Sequence, residues 1–570
     1  MAVAAVVGVL LLVYLLHAPP TLDLAAQVAR ATLFHDHGVH IWWPGWFAGT
    51  NLPGYSVLAP LLMAVTGVPL AGALATLAAS ASGAPLFGTA RRPRLAIAAF
   101  VAVLLADLLA GRVTFVIGSA FALLALRAVQ RRSRWAVIVP SIAATLSSPL
   151  AGLFLGLLVL AVAMTDASRR RVAVLAAATA AVTVAITAAL FPSTAVMPFG
   201  RSNLWMSLIA CLVLLATVPI RLVRGAACLF AMSVVAIYNV PSAIGSNISR
   251  LAMLFALPVL VGWATVPRRT MIVGLVPLIV WPTLDLTGQL TRADDTSSSQ
   301  SYYLPLLTKL DQLQKQAQAS GRPGRVEIVD PRTHWASVYI AAKVPLARGW
   351  ERQLDVAGNR LFYSGTLTAE SYHAWLRQLA VRWVALPDAP LDYAAVAEGR
   401  LVDGQLPYLA PVWSGPHWRL YAVKDPQPVV RGAVSSIALY PTGIEFRARS
   451  AGAVRVAVRY TTYLRVREVG GGRERIGCVE PDGQWSAVDV PSGGTYRIDA
   501  PFSLTDIPCC FVSSCDRLGV LRPGGVLAVV GAGLEAAVQN ADETVGQLAQ
   551  GGVVTDTAVA QLVVVGARTG

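Results

Sequence analysis

The feature that most constrains this fold is a series of apolar segments separated by short, arginine-rich connections. A helix that crosses the hydrocarbon layer of a membrane needs about 20 consecutive, mostly apolar residues. The segment at 56–66 is too short to cross and predicts a re-entrant or surface helix. We predict eleven membrane-spanning helices, at residues 2–17, 68–89, 95–110, 113–127, 135–147, 149–165, 172–191, 206–220, 226–240, 251–266 and 271–288.

The distribution of charge divides the chain into an apolar part and a polar part. No lysine precedes Lys309 and no glutamate precedes Glu327. Over the whole chain 55% of residues are hydrophobic, only 14% are charged, and the mean hydropathy is +0.59, which is too apolar for an ordinary soluble protein. We therefore predict a transmembrane bundle at residues 1–290, followed by a soluble remainder.

The arginines predict how the bundle is oriented. They account for much of the net charge of +15, so we attribute that charge to membrane topology and not to nucleic-acid binding. If all the clusters face the cytoplasm, every second connection is basic, and everything after residue 288 is extracytoplasmic. The protein is then a multi-pass protein of the cell membrane. The clusters are Arg91, Arg92 and Arg94; Arg127, Arg131, Arg132 and Arg134; Arg169, Arg170 and Arg171; Arg221 and Arg224; and Arg268 and Arg269.

The soluble remainder predicts two folded parts and a tail. Residues 300–430 alternate helical and strand patterns, which indicates an α/β domain, with Thr368 as an N-cap. Residues 431–500 contain short alternating runs typical of a β-sandwich-like module. Residues 501–570 form a Gly- and Val-rich tail, which we do not assign to the β module. Four cysteines of these last two parts allow one or two disulfides but do not match a zinc site: Cys478, Cys509, Cys510 and Cys515.

Carboxylates that could act as a general base are scarce in the apolar part. Up to residue 284 it contains only Asp23, Asp36, Asp107 and Asp166. Asp23 and Asp36 lie in the first outer loop, where an enzyme acting outside the membrane would need its base. Asp23, Gln27 and Arg30 are spaced by four and three, so they share one helix face. From this spacing alone, Asp23 is as well explained by a capping role as by a catalytic one.

The rest of the first outer loop carries histidines and tryptophans. His35, Asp36, His37 and His40 are possible metal ligands, but their spacing is not that of a known closed site, and we favour a polar interfacial turn. Trp42, Trp43, Trp46 and Phe47 fit an aromatic belt at the level of the lipid headgroups. Trp42 and Trp46 could also stack on a sugar ring.

Three arginines lie on the side opposite to the clusters. Arg112, Arg201 and Arg250 could extend to phospholipid headgroups, or together hold a lipid-linked phosphate, which arginine binds with two hydrogen bonds. Of these, Arg250 stands in GSNISR, where Gly and Asn permit a tight turn.

Several stretches resemble the GT-C superfamily of polytopic membrane glycosyltransferases. They are the first outer loop, DLAAQVARATLF followed by WW, WFAG and PGYS; GRVTF (111–115); GSNISRL (245–251); PLARGWERQLD (345–355); and ALPDAPLDY (385–393). The likeness covers about residues 1–500 and is strongest to actinobacterial membrane proteins.

This resemblance implies transfer of a sugar from a polyprenyl-phosphate-linked donor to a cell-envelope glycan or glycolipid acceptor, with inversion and without a covalent intermediate. Asp23 would be the general base, with Asp36 as the fallback, and Arg250 the first of the phosphate-binding arginines. Gln27, Arg30, Arg112, Arg201, Trp42 and Trp46 complete the predicted substrate-binding set. No divalent metal is expected. The chain departs from relatives with paired acids in this loop, because Asp23 and Asp36 stand apart.

Two other functions remain open. A transporter or lipid flippase would need a polar path and often has internal repeats, neither of which the sequence displays clearly. A non-catalytic scaffold would use its outer domain to bind glycan. The segment PLARGWERQLD, with Trp335, Tyr339, Trp350, Phe362 and Tyr363, either faces the membrane part or forms the ordinary core of the α/β domain.

Overall fold

The computed structural model describes residues 2–470 and 476–500, all within one compact unit. It is mostly helical, with eighteen α-helices in these residues, and its β-sheets lie mainly in the C-terminal part. The prediction for the tail at 501–570, with Cys509, Cys510 and Cys515, falls outside the described residues. So does any disulfide of Cys478, whose side chain is not described.

Each of the eleven predicted apolar segments is a helix. The helices of the first part are α1 (Ala2–Leu16), α2 (Leu22–His37), α3 (Leu58–Thr66), α4 (Val68–Gly83), α5 (Pro93–Leu109), α6 (Val113–Gln130), α7 (Arg134–Ser147), α8 (Pro149–Thr165), α9 (Arg170–Leu190), α10 (Arg201–Thr217), α11 (Arg221–Asn239), α12 (Arg250–Trp263) and α13 (Arg268–Ala293). Short 3₁₀ turns extend α4 through Phe87 and precede α12 from Gly245.

Six stretches of the described chain are long and apolar enough to cross a membrane. They are Val68–Phe87, Val113–Gln130, Arg170–Leu190, Arg221–Asn239, Gly245–Trp263 and Arg268–Ala293. Other apolar helices, such as α7, α8 and α10, are shorter. The structure therefore supports a multi-pass membrane protein, while the predicted count of eleven spans is not confirmed.

The shortest predicted span, at residues 135–147, ends at a local break. Ser148 ends α7, and its hydroxyl accepts a hydrogen bond from the Ala151 amide at 3.4 Å, so it also caps α8. Pro149 occupies the first position of α8, where its missing N–H costs nothing. Serine and proline at this point therefore divide one apolar stretch into two packed helices.

The loop that follows α2 is buried at residues 41–50 and packs against the α/β part. After α2 it forms a small hairpin of β1 (Trp42–Trp43) and β2 (Thr50–Asn51). Trp42, Trp43 and Trp46 are exposed by only 1%, 2% and 0%, so the aromatic-belt prediction is wrong for these three indoles. Gly349 of the soluble part lies so close to Trp46 that a Cβ there would collide with the ring.

The α/β part contains a four-stranded sheet with the order β3-β4-β6-β5. β3 and β4 are parallel, and the remaining pairs are antiparallel. Thr368 caps α17 as predicted, because Thr368 and Ser371 each accept a hydrogen bond from the other's amide. The elements are α14 (Gln300–Ala319), β3 (Arg325–Ile328), α15 (Ala336–Tyr339), α16 (Arg352–Gly358), α17 (Ala369–Gln378), β4 (Val381–Pro387), α18 (Val396–Asp403), β5 (Leu409–Gly415) and β6 (Trp418–Val423).

The last described part is entirely β-structure. Its strands form one continuous antiparallel order, β7-β10-β13-β12-β11-β14-β9-β8, so the β-structure predicted here is present, while the β-sandwich-like arrangement stays a prediction. The strands are β7 (Val430–Arg431), β8 (Val434–Tyr440), β9 (Gly443–Ala448), β10 (Gly452–Arg459), β11 (Arg465–Glu468), β12 (Ile476–Asp482), β13 (Trp485–Val490) and β14 (Gly494–Asp499).

One arginine holds three acids inside the α/β part. Arg348 donates hydrogen bonds to both carboxylate oxygens of Asp355, at 3.1 and 2.7 Å, and to Glu398 at 3.2 Å. Glu327 lies 3.7 Å from the same guanidinium. Because one cation cannot balance three buried carboxylates, burial raises the pKa of Glu398 to about 7 and that of Glu327 well above its usual range.

This network predicts that the α/β part loses stability as the pH rises from about 4.5 to about 7. The folded pKa of Glu398, about 7, lies above its ordinary 4.5. Its contribution is therefore complete below pH 4.5 and is lost as the pH rises through about 7. We expect the thermal midpoint to fall between about pH 5 and about pH 7.5. Glu398→Gln, which keeps an acceptor for Tyr372, should flatten this dependence; an unchanged pH profile would contradict the assignment.

Candidate functional site

A cavity of about 630 Å³ lies between the helical bundle and the α/β part. Its bundle wall comes chiefly from the starts of α2, α6, α8 and α12, and its other wall from loops of the α/β part. The charged residues around it are Asp23, Arg112, Arg250 and Arg292 on the bundle side, and Arg332, His334, Glu351, Arg352 and Asp392 opposite. Arginine is therefore in excess over carboxylate in this cavity.

Asp23 lies in this cavity at the second position of α2. The N-cap of that helix is Thr21, so Asp23 is not the N-cap itself, but it lies in the first turn, where a carboxylate interacts favourably with the helix dipole. Its side chain is 25% exposed, and Oδ2 accepts hydrogen bonds from Arg250 at 3.2 Å and from Arg112 at 3.5 Å. Among the described residues Oδ1 has no hydrogen-bond partner, so this oxygen is available to a ligand.

The guanidinium of Arg112 is occupied by three carboxylates, so it does not present free donors to a phosphate. Its Nη1 donates to Asp107 at 2.8 Å, its Nη2 to Asp285, and its Nε to Asp23. All three guanidinium nitrogens are thus engaged, and the side chain is buried. Arg112 was predicted to bind donor phosphate, whereas its contacts make it a residue that positions Asp23.

Gln27 likewise acts on Asp23 through the backbone. Its amide nitrogen donates to the carbonyls of Asp23 and Gly111 at 2.6 and 2.5 Å. Its oxygen accepts from the amide and hydroxyl of Thr114 at 2.6 and 2.8 Å. The side chain lines the cavity but has its donors and acceptor occupied, so it joins α2 to the start of α6 and does not hold substrate.

Arg30 lies beside the cavity but does not line it. Its buried guanidinium forms an ion pair with Glu351 and lies over the rings of Trp46 and Tyr55, 5.2 and 4.4 Å from their centroids. Glu351 is buried enough that its pKa is raised, although Arg30 opposes the increase. Arg30 was predicted to bind substrate; the structure makes it a link between α2 and the α/β part.

Arg250 and Arg292 are the arginines with donors to spare. Within the described part of the chain, Arg250 has one ion pair, with Asp23, which uses one of its three guanidinium nitrogens. Arg292, at the end of α13, is exposed and forms no ion pair or side-chain hydrogen bond within the described residues. Arg332 is less available, because it is paired with Asp295 at 3.0 Å. An anion in the cavity would therefore meet Arg250 and Arg292 first.

The opposite wall is formed by stacked aromatic rings and ion pairs. His334 stacks on Trp350 with ring centroids 3.3 Å apart and lies against Asp330 and Asp392. Burial by itself would lower the pKa of His334, but these carboxylates outweigh it and raise the pKa. Arg352 binds Asp392 through two hydrogen bonds of 2.9 and 2.7 Å. The imidazolium and the guanidinium together hold the pKa of Asp392 low, against the effect of burial.

The segment PLARGWERQLD faces the membrane part at its centre. Trp350, Glu351 and Arg352 all line the cavity. The Trp350 indole donates to the Leu22 carbonyl at 2.8 Å, and that of Trp335 donates to the Pro20 carbonyl at 2.9 Å. These two bonds fix the start of α2, next to Asp23. Phe362, by contrast, packs in the core of the α/β part.

Four predicted site residues lie elsewhere. Asp36 is 52% exposed and pairs with its neighbour His35 at 2.8 Å. It stands thirteen residues beyond Asp23 on the same helix, about 20 Å away, so it is a poor substitute base. Arg201 is exposed at the start of α10 and does not line the cavity. Trp42 and Trp46 are enclosed by protein, which leaves no ring face for a sugar.

Several residues of this site were not predicted. Asp285, Arg292, Arg332, His334 and Asp392 were missed. Only Asp285 gave a signal, because a lone carboxylate inside an apolar helix is rarely without a partner. Within the described chain, no cluster of three His, Cys, Asp or Glu side chains is arranged to hold a metal ion.

Comparison with known proteins adds no relative: no protein-family model, no curated protein and no solved structure matches the chain.

Proposed function

We propose that this protein is a membrane glycosyltransferase, which transfers a sugar from a polyprenyl-phosphate-linked donor to a cell-envelope glycan or glycolipid. The observation that carries the proposal is the position of Asp23 in a cavity shared with Arg250 and Arg292, with one carboxylate oxygen that has no hydrogen-bond partner among the residues that the structure describes. A base beside cations at the junction of an apolar bundle and a soluble part suits a substrate that has a lipid tail, a phosphate and a sugar.

Each of these residues has a role in the proposed reaction. Asp23 Oδ1 accepts the proton of the acceptor hydroxyl as the hydroxyl oxygen attacks the anomeric carbon. The bond from that carbon to the phosphate oxygen breaks in the same step, which inverts the configuration. The charge that develops on the departing polyprenyl phosphate is stabilised by Arg250 and Arg292. Arg112 and Gln27 keep Asp23 in place throughout.

The proposed location is the cell membrane, with the soluble part outside the cytoplasm. The helices α6, α8 and α12 start at the cavity and end near Arg131, Arg169 and Arg268. The site is thus at the end of the bundle opposite the arginine clusters. By the positive-inside rule, this end faces away from the cytoplasm.

The direct test is transfer by the purified protein. Wild type would be incubated with a panel of polyprenyl phosphates carrying radiolabelled sugars, together with glycan and glycolipid fractions of the envelope. We expect labelled product from at least one donor. Binding of the lipid phosphate without transfer would favour the flippase alternative, and absence of both would favour a scaffold.

Arg292→Gln tests the phosphate site within that assay. A charge-assisted hydrogen bond contributes about 1.5–3 kcal/mol, so we expect the KM for the donor to rise about tenfold or more. Arg201→Gln is the matched control, because Arg201 is exposed and lies outside the cavity. Equal KM values of the two variants for the donor would contradict the assignment of Arg292 to the phosphate site.

A further inference from the structure

The arginine-rich end of the bundle contains a second, apolar cavity of about 710 Å³. It lies among α6, α8, α10, α11 and α12 and shares no lining residue with the polar cavity that contains Asp23. Most of its wall is aliphatic or aromatic, including Leu126, Leu158, Val162, Leu214, Phe230 and Phe255. A cavity of this chemistry offers water few hydrogen-bond partners, so it calls for an apolar occupant.

The cavity extends well into the bundle. Along α12 it is lined from Leu251 to Trp263, a rise of about 18 Å at 1.5 Å per residue. The hydrocarbon layer of a membrane is about 30 Å thick, so the cavity spans about half of it. That depth is suited to the chain of a lipid in one leaflet.

The mouth of the cavity carries an uncompensated positive charge. Two cations line it there, Arg169 and Arg221. Arg169 forms an ion pair with Asp166, which neutralises it. Arg221 is exposed and has no ion pair or side-chain hydrogen bond within residues 2–470 and 476–500. An occupant that matches both the apolar wall and the positive charge of Arg221 has an apolar chain and an anionic head group.

We propose that this cavity binds an anionic phospholipid of the leaflet at the arginine-rich end, with an acyl chain among α8, α10 and α12 and the phosphate on Arg221. The lipid-linked sugar donor is a different molecule, since its phosphate must reach Asp23 at the opposite end of the bundle. The bound phospholipid would fill the space between α10, α11 and α12 and support the helix that presents Arg250.

The test is the lipid that the protein retains. Wild type, purified in mild detergent and washed, would be examined by native mass spectrometry with identification of the extracted lipids. We expect one anionic phospholipid per chain. Arg221→Gln should reduce its occupancy about tenfold, whereas Arg131→Gln, at an exposed arginine of another connection, should not.

A second pair of variants tests the acyl-chain part. Leu214→Trp fills the cavity from α10 and should remove the retained lipid. Leu212→Trp adds the same ring to the same helix, at a side chain that is 65% exposed, and should not. Three results would overturn the proposal. The wild type could retain no lipid, it could retain a polyprenyl phosphate instead, or Arg221→Gln and Leu214→Trp could both leave lipid retention unchanged. If Leu214→Trp fails to fold, Arg221→Gln decides.

Discussion

Asp23→Asn is expected to lower sugar transfer by about two to four orders of magnitude, the usual range for a general base. An amide cannot take the proton of the acceptor hydroxyl, whereas its oxygen can still accept the hydrogen bond from Arg250. The carboxylate is partly exposed, and Arg112 keeps Asp107 and Asp285 as partners, so the fold should persist. The measurement is the initial rate of transfer, with the thermal midpoint recorded for the same preparation.

Two comparisons make this result specific. Asp36→Asn changes the other carboxylate of the same helix, which is exposed and does not line the cavity, and it should transfer at the wild-type rate. Asp23→Asn should still bind polyprenyl phosphate, because Arg250 and Arg292 are unchanged. If Asp23→Asn retained full activity, Asp23 would not be the base, even if the protein proved to be a glycosyltransferase.

Some of this site could be predicted because its signals are local. Apolar length located the helices, since a membrane imposes that length whatever the rest of the fold. Scarcity of carboxylate pointed to Asp23, and position relative to the arginine clusters pointed to Arg112 and Arg250. The structure brings these three side chains together, with Asp23 between two arginines that are far from it in sequence.

The remainder depends on contacts that no local pattern encodes. Arg30 shares a helix face with Asp23, but its partner Glu351 is 321 residues away. Because of that contact, the end of the face with Arg30 packs against the α/β part, whereas the end with Asp23 borders the open cavity. Trp42 and Trp46 were misread for the same reason, because an indole beside a membrane and one beneath another domain look alike in sequence.

Arg30→Met is expected to be the most destabilising single change at this interface. It removes the cation from a buried ion pair and leaves Glu351 charged in a site whose burial already raises the pKa of that residue. Loss of one partner of a buried pair costs about 3–5 kcal/mol. The free energy of unfolding, or the thermal midpoint, measures this. Lys315→Met breaks the exposed pair with Asp311 and should cost less than about 1 kcal/mol.

The double variant Arg30→Met/Glu351→Met distinguishes an effect of this ion pair on stability from an effect on the position of α2. With both charges gone, no unpaired ion is buried, and most of the lost stability should return. If the pair also sets where α2 lies against the α/β part, the refolded double variant will still transfer slowly, because Asp23 is on that helix. A lowered kcat with an unchanged donor KM would then identify Arg30 and Glu351 as positioning residues. Recovery of both stability and kcat would limit the pair to a structural role, and α2 would owe its position to Gln27, Trp335 and Trp350.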